Sequence, residues 1–189
     1  VNNQAVLVFG MEDDVRASAQ AAVTQLQEHQ IEPVLLSGDI DARVAAVAKQ
    51  VGIQRYFARV TPEQKLDTVR TLKAEGAGLV AMVGDGLNDV AALAAADVGI
   101  AMGSGTHATQ SAAAITILDD DPMAIPFAIQ LGKATWRNIR QNLGWAFGYN
   151  LILIPVAAAG LLNPMLSGTA MAFSSISVVL NALRLRRNR

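Results

Sequence analysis

An apolar run, Leu79 to Val83, leads into Gly84-Asp85-Gly86-Leu87-Asn88-Asp89. Glycines at 84 and 86 let the backbone come close to a ligand. Asp85 and Asp89 supply the hard oxygen ligands that Mg²⁺ takes beside a phosphate. Ligands of open parallel sheets bind where strands end, which is where this run delivers its carboxylates. A second apolar run ends in Leu36-Ser37-Gly38-Asp39, offering a hydroxyl and backbone N–H groups to an anion. Lys65 can bring a point charge to the same group. Singly these pieces are weak, since Gly-Asp-Gly can be an ordinary turn and a lysine near a helix start is usually solvated. Together they are three strand edges able to converge on one phosphate, which suits phosphoryl transfer.

Those edges need a sheet. Val6 to Phe9, Val34 to Leu36, Leu79 to Val83, Val98 to Ala101 and Ile115 to Leu118 read as buried strands with helical segments between them. This alternation predicts an α/β, Rossmann-like parallel sheet covered on both faces. Thr61-Pro62-Glu63-Gln64 predicts a helix start, with an N-cap hydroxyl, proline in the first turn and a capping-box glutamine. Lys65 then sits in the first turn. Asp119 to Asp121, followed by Pro122, place negative charge where a second, long helix should begin.

Composition divides the chain. Of its 189 residues 52% are hydrophobic and 16% charged, every acidic residue lies at or before Asp121, and none of Asp, Glu, Lys or Arg occurs from Leu143 to Leu183. About 20 apolar residues cross a bilayer as one helix, so two spans are predicted, about 143–162 and 165–184, joined by a turn at Asn163-Pro164. Lys133, Arg137 and Arg140 precede the first span and Arg184, Arg186, Arg187 and Arg189 follow the second. Both ends are therefore expected in the cytoplasm of a multi-pass membrane protein, in a bacterial inner membrane, with Trp136 and Trp145 at the inner interface. The competing reading is two buried helices of a soluble core. The expected divisions are residues 1–121 for the sheet domain, 122–142 for a connecting helix and 143–189 for the membrane hairpin with its basic tail.

A net charge of −1 gives no electrostatic reason to expect nucleic acid. The absence of cysteine excludes disulfides, zinc ribbons and thiolate catalysis by this segment. The chain opens on Val1-Asn2-Asn3-Gln4, with no initiator methionine or signal segment, and reads as truncated. His29 reads as a solvated or carbonyl-bonded residue at a helix end.

The motifs resemble those of the P-type ATPases, whose hydrolytic domain has the haloacid dehalogenase-like fold. Leu36-Ser37-Gly38-Asp39 resembles the family's TGD segment with serine for threonine. Thr61 to Lys65 resembles its P-x-x-K segment, and Gly84 to Leu93 matches its GDGxNDxxAL hinge. The resemblance implies that Asp85 binds Mg²⁺. It implies too that Asn88 and Asp89 hold the site together, and that Lys65 and Ser37, with Gly38 and Asp39, stabilise the phosphoryl group on a catalytic aspartate. That aspartate belongs to a DKTGT segment, which this sequence lacks. The ATP site is then completed by upstream domains of the same pump, and the fragment alone is expected to be inactive.

Gln141 to Asn150 resembles the penultimate helix of copper-transporting members, and Met171 to Ser175 resembles their final helix. The resemblance implies that Tyr149, Asn150, Met171 and Ser175 form part of a site for transported Cu(I), a soft ion suited to a thioether. Counted from Asn163, Asn150 and Ser175 lie at similar depths, with Met171 one turn nearer the outside. The sequence departs from the family in the tight Asn163-Pro164 connection, in His107 where aspartate is usual, and in lacking the Cys-Pro-Cys of an earlier helix. Metal ion, lipid bilayer and a copper chaperone are the expected partners. The alternatives are a pump for another metal ion, or a non-catalytic truncated membrane protein that binds a pump or a metal chaperone.

Overall fold

The computed structural model describes residues 15–76, 78–103, 106–160 and 164–186, without some of the side chains in the last segment. The expected strand at Val6 to Phe9, Asn163 of the expected turn, the side chains of Met171 and Arg186, and the basic residues Arg187 and Arg189 lie outside what is described. The chain forms two compact units, Val1–Pro126 and Phe127–Arg189.

In the first unit the order is α1 (Ala19–Glu28), β1 (Val34–Leu36), α2 (Asp41–Val51), β2 (Arg55–Phe57), α3 (Pro62–Ala74), β3 (Ala81–Gly84), a 3₁₀ turn (Leu87–Asp89), α4 (Val90–Ala95), β4 (Val98–Met102), α5 (His107–Ala112) and β5 (Ile115–Ile117). All strand pairs are parallel, as the alternating pattern predicts: β1 with β2, β3 with β4, and β4 with β5. Among the described residues the strands make two separate sheets, β1-β2 and β3-β4-β5. The sheets share packing even so, because Leu36 of β1 lies against the core cluster of Val69, Met82, Ala92 and Leu93.

Local sequence accounts for these elements. α2 buries Val44, Ala48 and Val51, one stripe at helical spacing, and stops at Gly52, whose φ of 83° is open to glycine at little cost. α3 starts as expected: Gln64 N donates to Thr61 Oγ1 at 3.3 Å and Thr61 N donates to Gln64 Oε1 at 2.9 Å, a complete capping box. Strand β2 escapes the sequence reading because Arg55-Tyr56-Phe57 is short and begins with a charge. β3 begins two residues later than expected. The Val80 amide is taken by Asp97 Oδ2 at 2.9 Å instead of a ladder partner, and Leu79 stays 85% exposed. β5 stops before Leu118, which is 88% exposed.

The second long helix, α6 (Ala124–Ala158), begins three residues after Asp121, whose carboxylate accepts the Met123 amide at 3.0 Å. In the second unit α6 is joined by α7 (Pro164–Arg186), which opens on proline. The first expected span lies on α6 as far as Ala158, and the second lies on α7. Even so, among the described residues no helix is long and apolar enough to cross a membrane.

Candidate functional site

The site is built where β3 ends. Gly84 closes the strand, and the 3₁₀ turn after it folds back through Asp89 N donating to Gly86 O at 3.0 Å. This return presses the Asp89 side chain onto Gly84. A Cβ at position 84 would stand 2.7 Å from Asp89 Cβ and 2.9 Å from its Cγ. Position 84 must therefore be glycine for Asp89 to lie where it does. At position 86 the nearest atom to such a Cβ is Asp89 Oδ2 at 3.7 Å, an ordinary contact.

Asp89 is buried, and a buried carboxylate needs a partner. Lys65 provides it: Nζ stands 2.7 Å from Asp89 Oδ1, with the two side chains 16% and 9% exposed. The capping box of α3 makes this reach possible by fixing the first turn, where Lys65 N donates to Thr61 O at 2.9 Å. Asp85 and Asn88, by contrast, are exposed at the same strand end. The expectation that Asp85 and Asp89 act alike as Mg²⁺ ligands meets a difference between them: one carboxylate faces solvent and the other is engaged by an ammonium group. Among the described residues no group of three or more His, Cys, Asp or Glu side chains could hold a metal ion by itself.

The second strand edge is ordered by its own loop. Ser37 N donates to Phe57 O and Val60 N donates to Ser37 O, each at 3.0 Å, so Ser37 is held in an extension of the β1-β2 ladder. Its Oγ accepts the Asp39 amide at 3.2 Å, which leaves the hydroxyl proton for another acceptor. The Asp39 carboxylate accepts the Ile40 amide at 3.3 Å and lies 3.4 Å from Arg43, a partner four residues on that the sequence reading passed over. Gly38 approaches the chain after β2, where a Cβ would meet Val60 O at 3.5 Å. The described contacts thus form two clusters, Ser37-Asp39-Arg43 and Lys65-Asp89-Gly84, at the ends of β1 and β3.

Away from the site, a staple absent from the sequence reading fixes the other end of β3. Lys73 Nζ donates to Ala95 O and to Asp97 Oδ1, each at 2.9 Å, while Asp97 Oδ2 holds the Val80 amide. The Val80 hydrogen bond, and after it Lys73, keep the Asp97 carboxyl below the usual aspartate range. Arg55 and Glu75 form a two-pronged pair at 3.2 and 3.0 Å, which lowers the Glu75 pKa. A cavity of about 600 Å³ lies between β2 and α3, lined by Tyr56, Phe57, Gln64, Thr68 and Leu72 among others, and none of the expected site residues lines it.

In the second unit, Asn150 donates to Ala146 O at 2.8 Å and the Tyr149 ring sits 6.2 Å from that of Trp145. The described contacts of these two side chains stay within α6. Ser175 is exposed on α7.

Residues 1–97 match the haloacid dehalogenase-like hydrolases, and residues 70–129 match a second family of that description. The chain is 51% identical over 189 residues to a copper-exporting P-type ATPase of Staphylococcus aureus (strain Newman). It is 48% identical over 187 residues to one of Staphylococcus epidermidis (strain ATCC 12228 / FDA PCI 1200). It spans 23% of the length of each of these relatives while 100% and 99% of its own length is matched. Among solved structures, a zinc-transporting PIB-type ATPase in the E2·Pi state is 35% identical with a TM-score of 0.83, over 92% of this chain and 28% of that one. The catalytic domain of a CPx-ATPase is 34% identical with a TM-score of 0.58, over 65% of this chain and 49% of that one. On these grounds the chain belongs to the haloacid dehalogenase-like hydrolases, and over its whole length it is homologous to one segment of copper-exporting P-type ATPases.

Proposed function

We propose that this chain is the Mg²⁺- and phosphate-holding part of a Cu(I)-exporting P-type ATPase, joined to a helix pair that lines part of the ion's route through the membrane. The observation that carries the reading is the Lys65–Asp89 contact of 2.7 Å at the end of β3. A lysine anchored in this way presents its remaining N–H donors to a phosphoryl group without having to be ordered at the moment of reaction.

Asp85 fits a Mg²⁺ ligand: it is an exposed carboxylate between two glycines, and Mg²⁺ is commonly held by one or two carboxylates together with phosphate oxygens. Asp89 fits a different part, as the anchor of Lys65. When bound, Mg²⁺ would neutralise charge on the phosphoryl oxygens. The Ser37 hydroxyl and the amides of the Ser37-Gly38-Asp39 turn would donate to those oxygens, and Asn88 would hold the turn. The sequence has no DKTGT segment. The nucleophilic aspartate and the rest of the ATP site therefore belong, on this reading, to other parts of the pump, and the chain alone does not turn over ATP. Among the described residues β1 and β3 contribute to one core yet do not pair, and on this reading a strand bearing that aspartate would join them.

On the same reading α6 and α7 cross the bilayer within a larger helix bundle, with both chain ends cytoplasmic and with Tyr149, Asn150, Met171 and Ser175 facing the ion. Helices inside a bundle tolerate polar residues that lipid-facing helices do not. A copper chaperone would deliver the ion. A zinc pump is the second reading, favoured by the likeness to a zinc-transporting ATPase. Against it stands the absence of charged side chains between Leu143 and Leu183.

The test joins this chain to the upstream part of a homologous pump and measures ATP hydrolysis in membranes with Cu(I), Zn²⁺ or Co²⁺. The reading expects stimulation by Cu(I), weakened by Met171→Ala. Equal stimulation by Zn²⁺ or Co²⁺ would overturn the ion assignment, and no stimulation by any of them would overturn the pump.

A further inference from the structure

Three asparagines of the second unit form a closed hydrogen-bonded ring between α6 and α7. Asn138 Nδ2 donates to Asn181 O at 2.6 Å, Asn181 Nδ2 donates to Asn142 Oδ1 at 2.9 Å, and Asn142 Nδ2 donates to Asn138 Oδ1 at 3.0 Å. All three residues are half-buried. Asn138 and Asn142, four apart, lie on one face of α6. One asparagine of α7 reaches both, using its backbone carbonyl for the first and its amide nitrogen for the second.

We propose that this ring is a register clasp that sets the axial position of α7 against α6, and through it the level at which their ion-facing residues meet. Two of the three bonds cross between the helices. Sliding α7 by one residue moves it about 1.5 Å, which takes bonds of this length out of range. Apolar packing alone discriminates poorly between registers, and a buried asparagine is the best-attested device for choosing one. All the groups are amides, so the clasp does not respond to pH.

The clasp has a consequence for the ion site, and this step rests on the function proposed above. α6 and α7 both run between the clasp and the connection at 159–163, so they are antiparallel. Asn150 follows the midpoint of Asn138 and Asn142 by ten residues, and Met171 precedes Asn181 by ten. Each backbone position is then about 15 Å from the clasp. The register sets Asn150 level with Met171, one turn away from the Asn150–Ser175 pairing obtained by counting from Asn163. Loss of the clasp would leave the ligand residues intact and misplace one set against the other.

The test uses the full chain in lipid nanodiscs, with nitroxide labels on Leu151→Cys and Phe173→Cys, in a sequence that has no other cysteine. Pulsed electron resonance should give one narrow distance distribution for the parent. In a triple variant, Asn138→Leu, Asn142→Leu and Asn181→Leu, apolar contact preserves the hairpin while the distribution broadens or splits. Asn142→Leu alone, which keeps the Asn138 bond, should broaden it less. A distribution as narrow as the parent's in both variants would overturn the clasp. Cu(I) binding to the unlabelled chain, titrated against a chromogenic Cu(I) chelator, should weaken at least about tenfold in the triple variant. If the parent chain binds no Cu(I), the ion-site reading fails and the distance result still decides the clasp. If Cu(I) binds the parent and the triple variant equally while distances broaden, the clasp sets register but does not set the ion site.

Discussion

Lys65 and Asp89, 24 residues apart in sequence, meet at 2.7 Å at the end of β3, and Gly84 lies directly beneath the carboxylate. Removing one member of a mostly buried pair strands the other charge. Lys65→Met and Asp89→Leu should each destabilise the first unit by roughly 3 kcal/mol, the lower end of what breaking a buried pair costs. The double variant should fall short of the sum by at least about 1 kcal/mol. Urea unfolding of the four proteins measures this, and strict additivity would mean that the pair is not coupled.

The two glycines of the motif should respond differently. At Gly84 an added Cβ meets Asp89 atoms at 2.7 to 2.9 Å, whereas at Gly86 the nearest atom is 3.7 Å away. Gly84→Ala should cost about 1–3 kcal/mol by forcing the aspartate aside. Gly86→Ala should change stability by less than about 0.5 kcal/mol. Thermal unfolding of both variants ranks them, and equal losses would contradict the packing argument.

Asp97 gives a pH signature. Its carboxyl is held below the ordinary value of 3.8 by the Val80 amide and by Lys73. A group whose folded pKa is depressed contributes stability above its unfolded pKa and loses it as pH falls through the folded pKa. Asp97→Ala should therefore lower Tm at neutral pH, and the gap to the parent should close as pH falls below about 4. A gap that stays constant down to pH 2 would show that the contact is not electrostatic.

The capping box sets where α3 begins and thus where Lys65 stands. Thr61→Ala should cost about 1 kcal/mol, and Thr61→Ser much less, because serine keeps the accepting oxygen. Circular dichroism melts distinguish the two, and equal losses would assign the effect to the threonine methyl group.

Much of this was legible because it depends on local chemistry. The β3–turn motif, the Thr61 cap, the parallel α/β pattern and the helix after Asp121 all follow from residue types at fixed spacing. The contacts that escaped are long-range. Nothing in Lys73 or Asp97 announces that they will meet, since the contact exists only after α3 and α4 pack together. β2 was hidden by Arg55, whose charge is satisfied by Glu75. Residue types alone took Asp85 and Asp89 together as Mg²⁺ ligands, because sequence cannot tell an exposed carboxylate from one engaged by lysine. For the membrane hairpin, charge-free length predicted two spans, while among the described residues no helix is long and apolar enough to cross a membrane. One polar residue of the second span, Asn181, is engaged by the amide ring it forms with Asn138 and Asn142 just before the first span.

The most direct test of the central claim is phosphoenzyme formation. A pump completed around this chain is incubated with radiolabelled ATP, and acid-stable label is counted for the parent, Asp85→Asn and Lys65→Ala. The account predicts a labelled parent and a loss of about 10²-fold or more in the initial rate for each variant, the scale of removing one group that stabilises transferring charge. Labelling of both variants at the parent's rate would contradict it.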